Sequence, residues 1–335
     1  MIIQLRENLS VRQREEIETY LTNKNYTVRE VRTQLGYYLV CIGKLIFDMR
    51  AIGNMSGVKD IHVVSDSYQL VSKKWKTSYS RIALDDDLVI GGDNPVIMAG
   101  PCSVESEDQM EKIADHLVNH HIRIMRGGVF KPRSSPYAFR GLGIEGLKIM
   151  HAACKPRNIK IISEVMQESQ LNEMIPYVDI FQVGARNSQN FNLLDALGEI
   201  DKPVLIKRGI SGTIEELLHS AEYVFSKGNE KLILCERGIR TFENAYRNTF
   251  DINAIQGLKD KSHLPVIADP SHGVGVRDYV TRLALSSLVS GADGIIFEVH
   301  EKPEEALSDG QQTLNFSESE LLIKKVNQLK AFLVD

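Results

Sequence analysis

Cysteine is scarce in this chain. Its four residues, Cys41, Cys102, Cys154 and Cys235, show no close-paired spacing, which excludes a disulfide scaffold and a structural zinc knuckle. Long apolar runs are missing too: no stretch approaches the ~20 residues needed to span a bilayer. The opening M-I-I-Q-L-R-E has no apolar core that would serve as a signal peptide. Nor is there a strong excess of one charge. At a formal net charge of -4, no global field recruits nucleic acid or a membrane surface. These absences predict a reduced, cytoplasmic compartment with neither nucleic acid nor membrane as partner. What is present is ordinary for a globular protein: 43% hydrophobic and 25% charged residues, in a chain of 335 residues that suffices for one large domain and a small one.

Residues 1–70 read as the small domain. Ile2 to Leu5 is a candidate strand, and Ser10 with Gln13 makes a capping-box pattern ahead of Ile17 and Leu21. Tyr26 to Arg32 and Tyr37 to Ile42 read as a hairpin, Leu45 to Ile52 as a short helix, and Val58 to Val64 as a last strand. The order β-α-β-β-α-β is the ferredoxin-like arrangement. Residues 71–94 follow as a polar, mobile linker (Ser72 to Ser78) and a hairpin around the acidic turn Asp85 to Asp87, placed as a plug under the next domain.

From residue 95 to 335 the pattern becomes strand, helix, strand, helix. Eight short apolar runs begin at Val96, Ile122, Ile159, Ile180, Val204, Leu232, Val266 and Gly294, continuous rather than alternating, as expected of strands buried on both faces. Capping boxes are expected at Thr213/Glu216 and Ser317/Glu320. Eight β-α units over ~240 residues fit a (β/α)8 TIM barrel. An open doubly wound sheet is the alternative, but no glycine-rich dinucleotide fingerprint follows the first run.

In such a barrel the active site lies where strands end. Every expected exit carries an ionisable residue: Cys102, Arg126, Glu164, Arg186, Lys207 with Arg208, Glu236 with Arg237, Asp269 with His272, and Glu298 with His300. After the second strand comes R-G-G-V-F-K-P-R-S-S-P-Y, Arg126 to Tyr137, a stiff loop with three cations that reads either as an anion trap or as a solvated turn. The cations Arg126, Lys131, Arg133, Arg186, Lys207 and Arg237 would repel one another without anionic ligands, so more than one phosphate or carboxylate group is implied. Cys102, His272, Glu298 and Asp309 form a candidate divalent site of borderline softness, though Cys102 could equally be a small buried apolar group and His272 a phosphate-binding imidazole.

The motifs A-G-P-C-S, R-G-G-V-F-K-P-R-S-S-P-Y, G-A-R-N, K-R-G, C-E-R-G-I-R-T, D-P-S-H and E-V-H with A-L-S-D-G, in this order over residues 90–335, resemble those of the 3-deoxy-D-arabino-heptulosonate 7-phosphate (DAHP) synthases, type I β class. The small domain resembles the regulatory extension that some members carry. The resemblance implies condensation of phosphoenolpyruvate with erythrose 4-phosphate and water, the first step of the shikimate pathway. It implies one divalent metal ion (manganese, iron, cobalt or zinc) on Cys102, His272, Glu298 and Asp309, acting as a Lewis acid on the aldehyde. It further implies phosphoenolpyruvate on Arg126, Lys131, Arg186, Lys207 and Arg237, and erythrose 4-phosphate on Lys131, Pro132, Arg133 and Ser134. Lys131 is typed as proton donor, Glu164 as the group that handles the water's proton, and Asp269 as a further catalytic residue. A homotetramer inhibited by tyrosine or phenylalanine is the expected assembly.

Three other readings are weighed. The synthase that joins phosphoenolpyruvate to arabinose 5-phosphate has K-A-N-R-T-S where this chain has K-P-R-S-S from Lys131, and the shorter loop favours the four-carbon aldehyde. A TIM-barrel metallohydrolase would want clustered histidines, and the nine here are scattered. A decayed barrel kept as an amino-acid sensor is argued against by intact exits on every strand.

Overall fold

The computed structural model describes residues 1–43, 48–131, 135 and 137–333. Four strands open the chain: β1 (Ile2–Leu5), β2 (Thr27–Arg32), β3 (Tyr37–Ile42) and β4 (Val58–His62). They form an antiparallel sheet in the order β2-β3-β1-β4, the ferredoxin-like arrangement. Ser10 and Gln13 close the expected capping box on the helix Val11–Asn23, whose Ile17 and Leu21 pack with Ile3, Leu39, Cys41 and Ile52 on one face of the sheet. Strand residues alternate between faces. Ile2, Tyr38 and Val40 therefore point the other way, into the core of the large domain. Burial on both sides is why β3 reads Y-Y-L-V-C without a polar residue. The second helix of this unit is Met49–Gly53, capped by Asp48, and the expected start at Leu45 lies outside the described residues.

The stretch from Leu70 to Trp75 corrects the expectation of a mobile linker. Leu70, Val71, Ser72 and Trp75 are buried. The backbone N–H groups of Leu70 and Val71 donate to Glu222, at 2.9 and 3.0 Å, and the Ser262 hydroxyl donates to the Val71 carbonyl at 2.7 Å. The Trp75 ring meets Tyr38 edge-on at 5.3 Å and His263 at 5.6 Å. The lysines of S-K-K-W-K make the segment look polar, while the tryptophan between them fastens the sheet to the barrel.

Two short strands, β5 (Ile82–Ala83) and β6 (Val89–Ile90), form the next hairpin. The barrel strands follow: β7 (Val96–Gly100), β8 (Ile124–Arg126), β9 (Lys160–Val165), β10 (Ile180–Val183), β11 (Val204–Lys207), β12 (Leu232–Glu236), β13 (Val266–Ala268) and β14 (Gly294–Glu298). All pair in parallel, and β14 closes on β7. Met98, Ile124, Ile162, Ile180, Leu205, Ile233, Ile267 and Ile296, one from each strand, fill the interior, with Ile82 and Ile90 beneath them. The final helix, Phe316–Leu333, does not begin at the expected Ser317/Glu320 box. Asn315 and Glu318 cap it instead, each side chain accepting the other's backbone N–H at 2.9 and 2.8 Å. Asn is as good a cap as Ser, and it stands immediately before the helix.

Candidate active site

Two residues beyond the apolar ring, each strand presents its next inward position: Gly100, Arg126, Glu164, Gln182, Lys207, Cys235, Asp269 and Glu298. The barrel thus changes within one residue pair from a hydrophobic floor to a ring dominated by charge. Gly100 is required in that ring. It sits at φ +155, and a Cβ there would lie 2.0 Å from the Arg126 carbonyl oxygen.

On one side of the mouth, the ligand atoms of Cys102, His272, Glu298 and Asp309 all lie within 4.8 Å of one another. Asp309 reaches the cluster from a backbone at φ +50, in the left-handed region that Asp tolerates. His272 turns its Nε2 toward Glu298 Oε1 (3.4 Å) and Asp309 Oδ2 (3.8 Å). Lys131 Nζ lies 3.0 Å from Cys102 Sγ and donates to the Cys102 carbonyl at 2.9 Å. Burial, with the carboxylates of Glu298 and Asp309 nearby, pushes the Cys102 thiol up to about 11 against the pull of Lys131. Burial also pushes Glu298 upward, but attraction from His272 and Arg126 outweighs it and leaves the group below the usual carboxylate range. For Asp309 the same contest, won by His272, Arg247 and Lys131, ends at about 2. A sulfur, an imidazole nitrogen and two ionised carboxylates make a donor set suited to a divalent cation of borderline softness. Such an ion would also neutralise the acids and favour the thiolate.

The other side is cationic. A cavity of about 190 Å³ is lined by Lys131, Glu164, Arg186, Lys207, Arg237, Arg240, Arg247 and Asn248, with His272 and Asp309 at the shared border. Lys207 is buried and donates to Asp269 Oδ2 at 2.5 Å. Among the described residues, Arg237, also buried, has the carbonyls of Gly238 and His272 as its hydrogen-bond partners, both at 3.1 Å, and burial lowers its affinity for its proton. Among the described residues neither Arg186 nor Arg240 has an acidic partner. Glu164 accepts from Gln182 at 3.4 Å, and Gly184 leaves it room, since a Cβ there would fall 2.0 Å from Glu164 Oε1.

Not every exit residue converges. Arg126 lies beneath the cavity rather than on its wall, with Nη1 held by Glu298 (3.0 Å) and the Pro101 carbonyl (2.7 Å). Arg208 and Glu236 are one residue past the inward positions and face outward. Arg208 Nη1 bonds Glu236 and Asp251 at 2.9 Å, and Glu236 accepts the Gly238 N–H at 2.6 Å. His300 turns to Glu105, 3.7 Å away. Pro132, Arg133 and Ser134 lie outside the described residues. Sequence reasoning missed Arg240, Arg247 and Asn248, all on the loop between β12 and the helix Ile252–Lys261. Arg240 belongs to C-E-R-G-I-R-T and was detectable there. Arg247, which bonds Asp309 (3.3 Å) and Gln312 (3.0 Å), has no spacing signal.

The chain matches known proteins along most of its length. Residues 71–334 match the model of the DAHP synthetase I family. A phospho-2-dehydro-3-deoxyheptonate aldolase of Thermotoga maritima is 46% identical over 272 residues, 81% of this chain and 80% of that protein. A 2-dehydro-3-deoxyphosphooctonate aldolase of Geobacter sulfurreducens is 31% identical over 261 residues, 72% of this chain and 95% of the other. The crystal structure of the Thermotoga maritima aldolase, described as DAHP synthase, superposes with a TM-score of 0.80 at 39% identity, covering 99% of this chain and 98% of that one. A truncated form of the Thermotoga maritima synthase covers 80% of this chain and 98% of its own, with a TM-score of 0.75 at 43% identity.

Proposed function

Because the chain belongs to the DAHP synthetase I family and condenses phosphoenolpyruvate with erythrose 4-phosphate and water to DAHP and phosphate, we propose a division of labour for the residues of its mouth. Cys102, His272, Glu298 and Asp309 hold one divalent cation, of the class manganese, iron, cobalt or zinc. When bound, such an ion supplies Lewis-acid polarisation of the aldehyde. The observation that carries this reading is the sharing of one mouth by that four-donor cluster and by guanidinium groups without acidic partners.

Arg186 and Arg237 take the phosphate of phosphoenolpyruvate. Lys207, on the cavity wall, takes its carboxylate, and Arg126, held just beneath by Glu298 and the Pro101 carbonyl, adds positive charge under that end. Two anions that would otherwise repel are so aligned, with the enol methylene carbon facing the aldehyde carbon. Lys131, together with Pro132, Arg133 and Ser134, receives erythrose 4-phosphate. As the new carbon–carbon bond forms, Lys131 Nζ delivers a proton to the former aldehyde oxygen. Water then adds to the former enol carbon, Glu164 takes its proton, and the phosphohemiketal breaks its carbon–oxygen bond to release phosphate. Lys131 suits its role because its ammonium reaches both the thiol of Cys102 and the cavity.

Measuring phosphate release with each aldehyde tests the assignment. Turnover is expected with erythrose 4-phosphate and not with arabinose 5-phosphate, and the reverse preference would move the chain to the octulosonate synthases.

We also propose that the chain works in the cytoplasm as a tetramer and that residues 1–70 bind tyrosine or phenylalanine. Among the described residues, none from the four-stranded sheet lines the mouth. It docks at the opposite end of the barrel, where Thr33 and the Leu35 N–H meet Glu230, ahead of β12. Inhibition by millimolar tyrosine or phenylalanine, lost on deletion of residues 1–70, is expected. A full-length enzyme indifferent to both, or a truncated one still inhibited, would contradict it.

A further inference from the structure

Asp269 stands between the two halves of the mouth and touches both. It is almost fully buried, with 1% of its surface exposed, so no bulk water replaces a lost partner. Its two oxygens accept three protein donors. Oδ1 takes the backbone N–H of His272 at 3.0 Å. Oδ2 takes His272 Nδ1 at 2.9 Å and Lys207 Nζ at 2.5 Å.

The first consequence concerns the histidine. An ionised carboxylate only accepts, so Nδ1 keeps a proton, and Nε2 is the nitrogen left to offer a lone pair once a cation takes the place of its proton. Nε2 is the nitrogen that faces Glu298 and Asp309. Asp269 therefore selects the tautomer and ring orientation the donor cluster needs, and a carboxylate behind an imidazole makes it a stronger ligand. The second consequence concerns the lysine, whose ammonium is held against the same oxygen on the side of the cationic cavity. The two donors share one acceptor and so compete for its charge. An anion in the cavity that draws the Lys207 ammonium toward itself leaves more of the Oδ2 charge to the Nδ1–H, and Nε2 becomes the better ligand.

We propose that Asp269 is a positioning residue that couples anion binding at Lys207 to cation binding at His272, so that each ligand tightens the other. This coupling presupposes the cation site and the phosphoenolpyruvate contact of Lys207 proposed above. Reciprocity follows from thermodynamic linkage. Asparagine cannot replace Asp269. Both carboxylate oxygens are acceptors here, and an amide has only one oxygen, so its NH2 would face either the His272 backbone N–H or the Lys207 and imidazole donors.

The test is Co²⁺ binding to the metal-stripped full chain, followed by visible absorption, with and without saturating phosphoenolpyruvate and without aldehyde, so that no turnover occurs. Wild type is expected to bind Co²⁺ more tightly when phosphoenolpyruvate is present. Asp269→Asn should bind Co²⁺ at least about tenfold more weakly, with most of the enhancement gone. Lys207→Met removes the competing donor and keeps the Asp269–His272 pair, so without phosphoenolpyruvate it should bind Co²⁺ more tightly than wild type, and phosphoenolpyruvate should add little further. Wild-type Co²⁺ affinity in Asp269→Asn, or the full enhancement in Lys207→Met, would overturn the coupling while leaving the cation site intact. If Asp269→Asn does not fold, Lys207→Met decides alone. Wild-type protein that binds no Co²⁺ would overturn the cation site itself, and the coupling with it.

Discussion

Lys131 is the residue on which the two halves of the mouth converge. Its ammonium lies 3.0 Å from the Cys102 sulfur and also lines the cationic cavity. Lys131→Met would remove a charge and the proton donor proposed above. Turnover is therefore expected to fall by about 10²-fold or more, well beyond any rise in the Michaelis constant for phosphoenolpyruvate. Steady-state kinetics decide: unchanged turnover with raised Michaelis constants would leave Lys131 as a binding group only. Lys131 was legible in the sequence, as were Cys102, Arg126, Glu164, Lys207, Asp269, His272 and Glu298, because strand ends in a barrel are countable. Arg247 was not, since it enters from an irregular loop whose path no periodicity records. Arg208 and Glu236 were legible as charges but not in their direction. Counting in twos from the apolar ring would have separated them from Lys207 and Cys235.

At the scale of elements, the loop from Arg237 to Phe250 carries three of the guanidinium groups of the cavity and is held down from behind. Arg208 bonds Glu236 at the end of β12 and Asp251 at the cap of the next helix, and Glu236 in turn fixes the Gly238 N–H. Arg208→Met would strand the buried Glu236 carboxylate without its cation. A loss of about 3–5 kcal/mol of stability follows, together with weaker phosphoenolpyruvate binding because Arg237 is next in the chain. Chemical denaturation and a binding isotherm measure the two effects, and unchanged values for both would remove the clamp from the account. Elements were read more safely than their ends. The capping box at Thr213 stands where its spacing predicts, whereas Asn315 rather than Ser317 caps the last helix. Two overlapping patterns competed there, and the sequence does not rank them.

For the whole molecule, the ferredoxin-like sheet and the barrel share one core through Tyr38, Val40, Trp75 and Phe225. His263 lies in that seam. Its Nε2 donates to the Leu70 carbonyl at 2.9 Å, and its Nδ1 lies 2.8 Å from the Ser80 hydroxyl. Burial lowers its pKa to about 3, and that of His116 at the last helix to about 4. The unfolded value is near 6.5. Groups whose folded pKa is depressed contribute stability that is complete above the unfolded value and is lost as pH falls toward the folded one. The melting temperature is expected to be level above pH 6.5 and to drop steadily below it, and a melting temperature that rises on acidification would contradict this. The seam was illegible in sequence because Ser72 to Ser78 has the composition of a linker. A single tryptophan among lysines carries no periodic signal, yet its large ring is buried in the seam.

In the proposed function one mouth places a four-donor cation site beside arginines and lysines that hold the phosphorylated substrates. The most direct measurement titrates divalent ion into chelated enzyme and follows phosphate release from phosphoenolpyruvate with erythrose 4-phosphate against ion bound per chain. No release is expected from ion-free protein, with a linear rise that saturates at one ion per chain and a weakened, right-shifted response in Cys102→Ser, where a hydroxyl replaces the thiolate donor. Full phosphate release from protein that elemental analysis finds free of metal would contradict the proposed function.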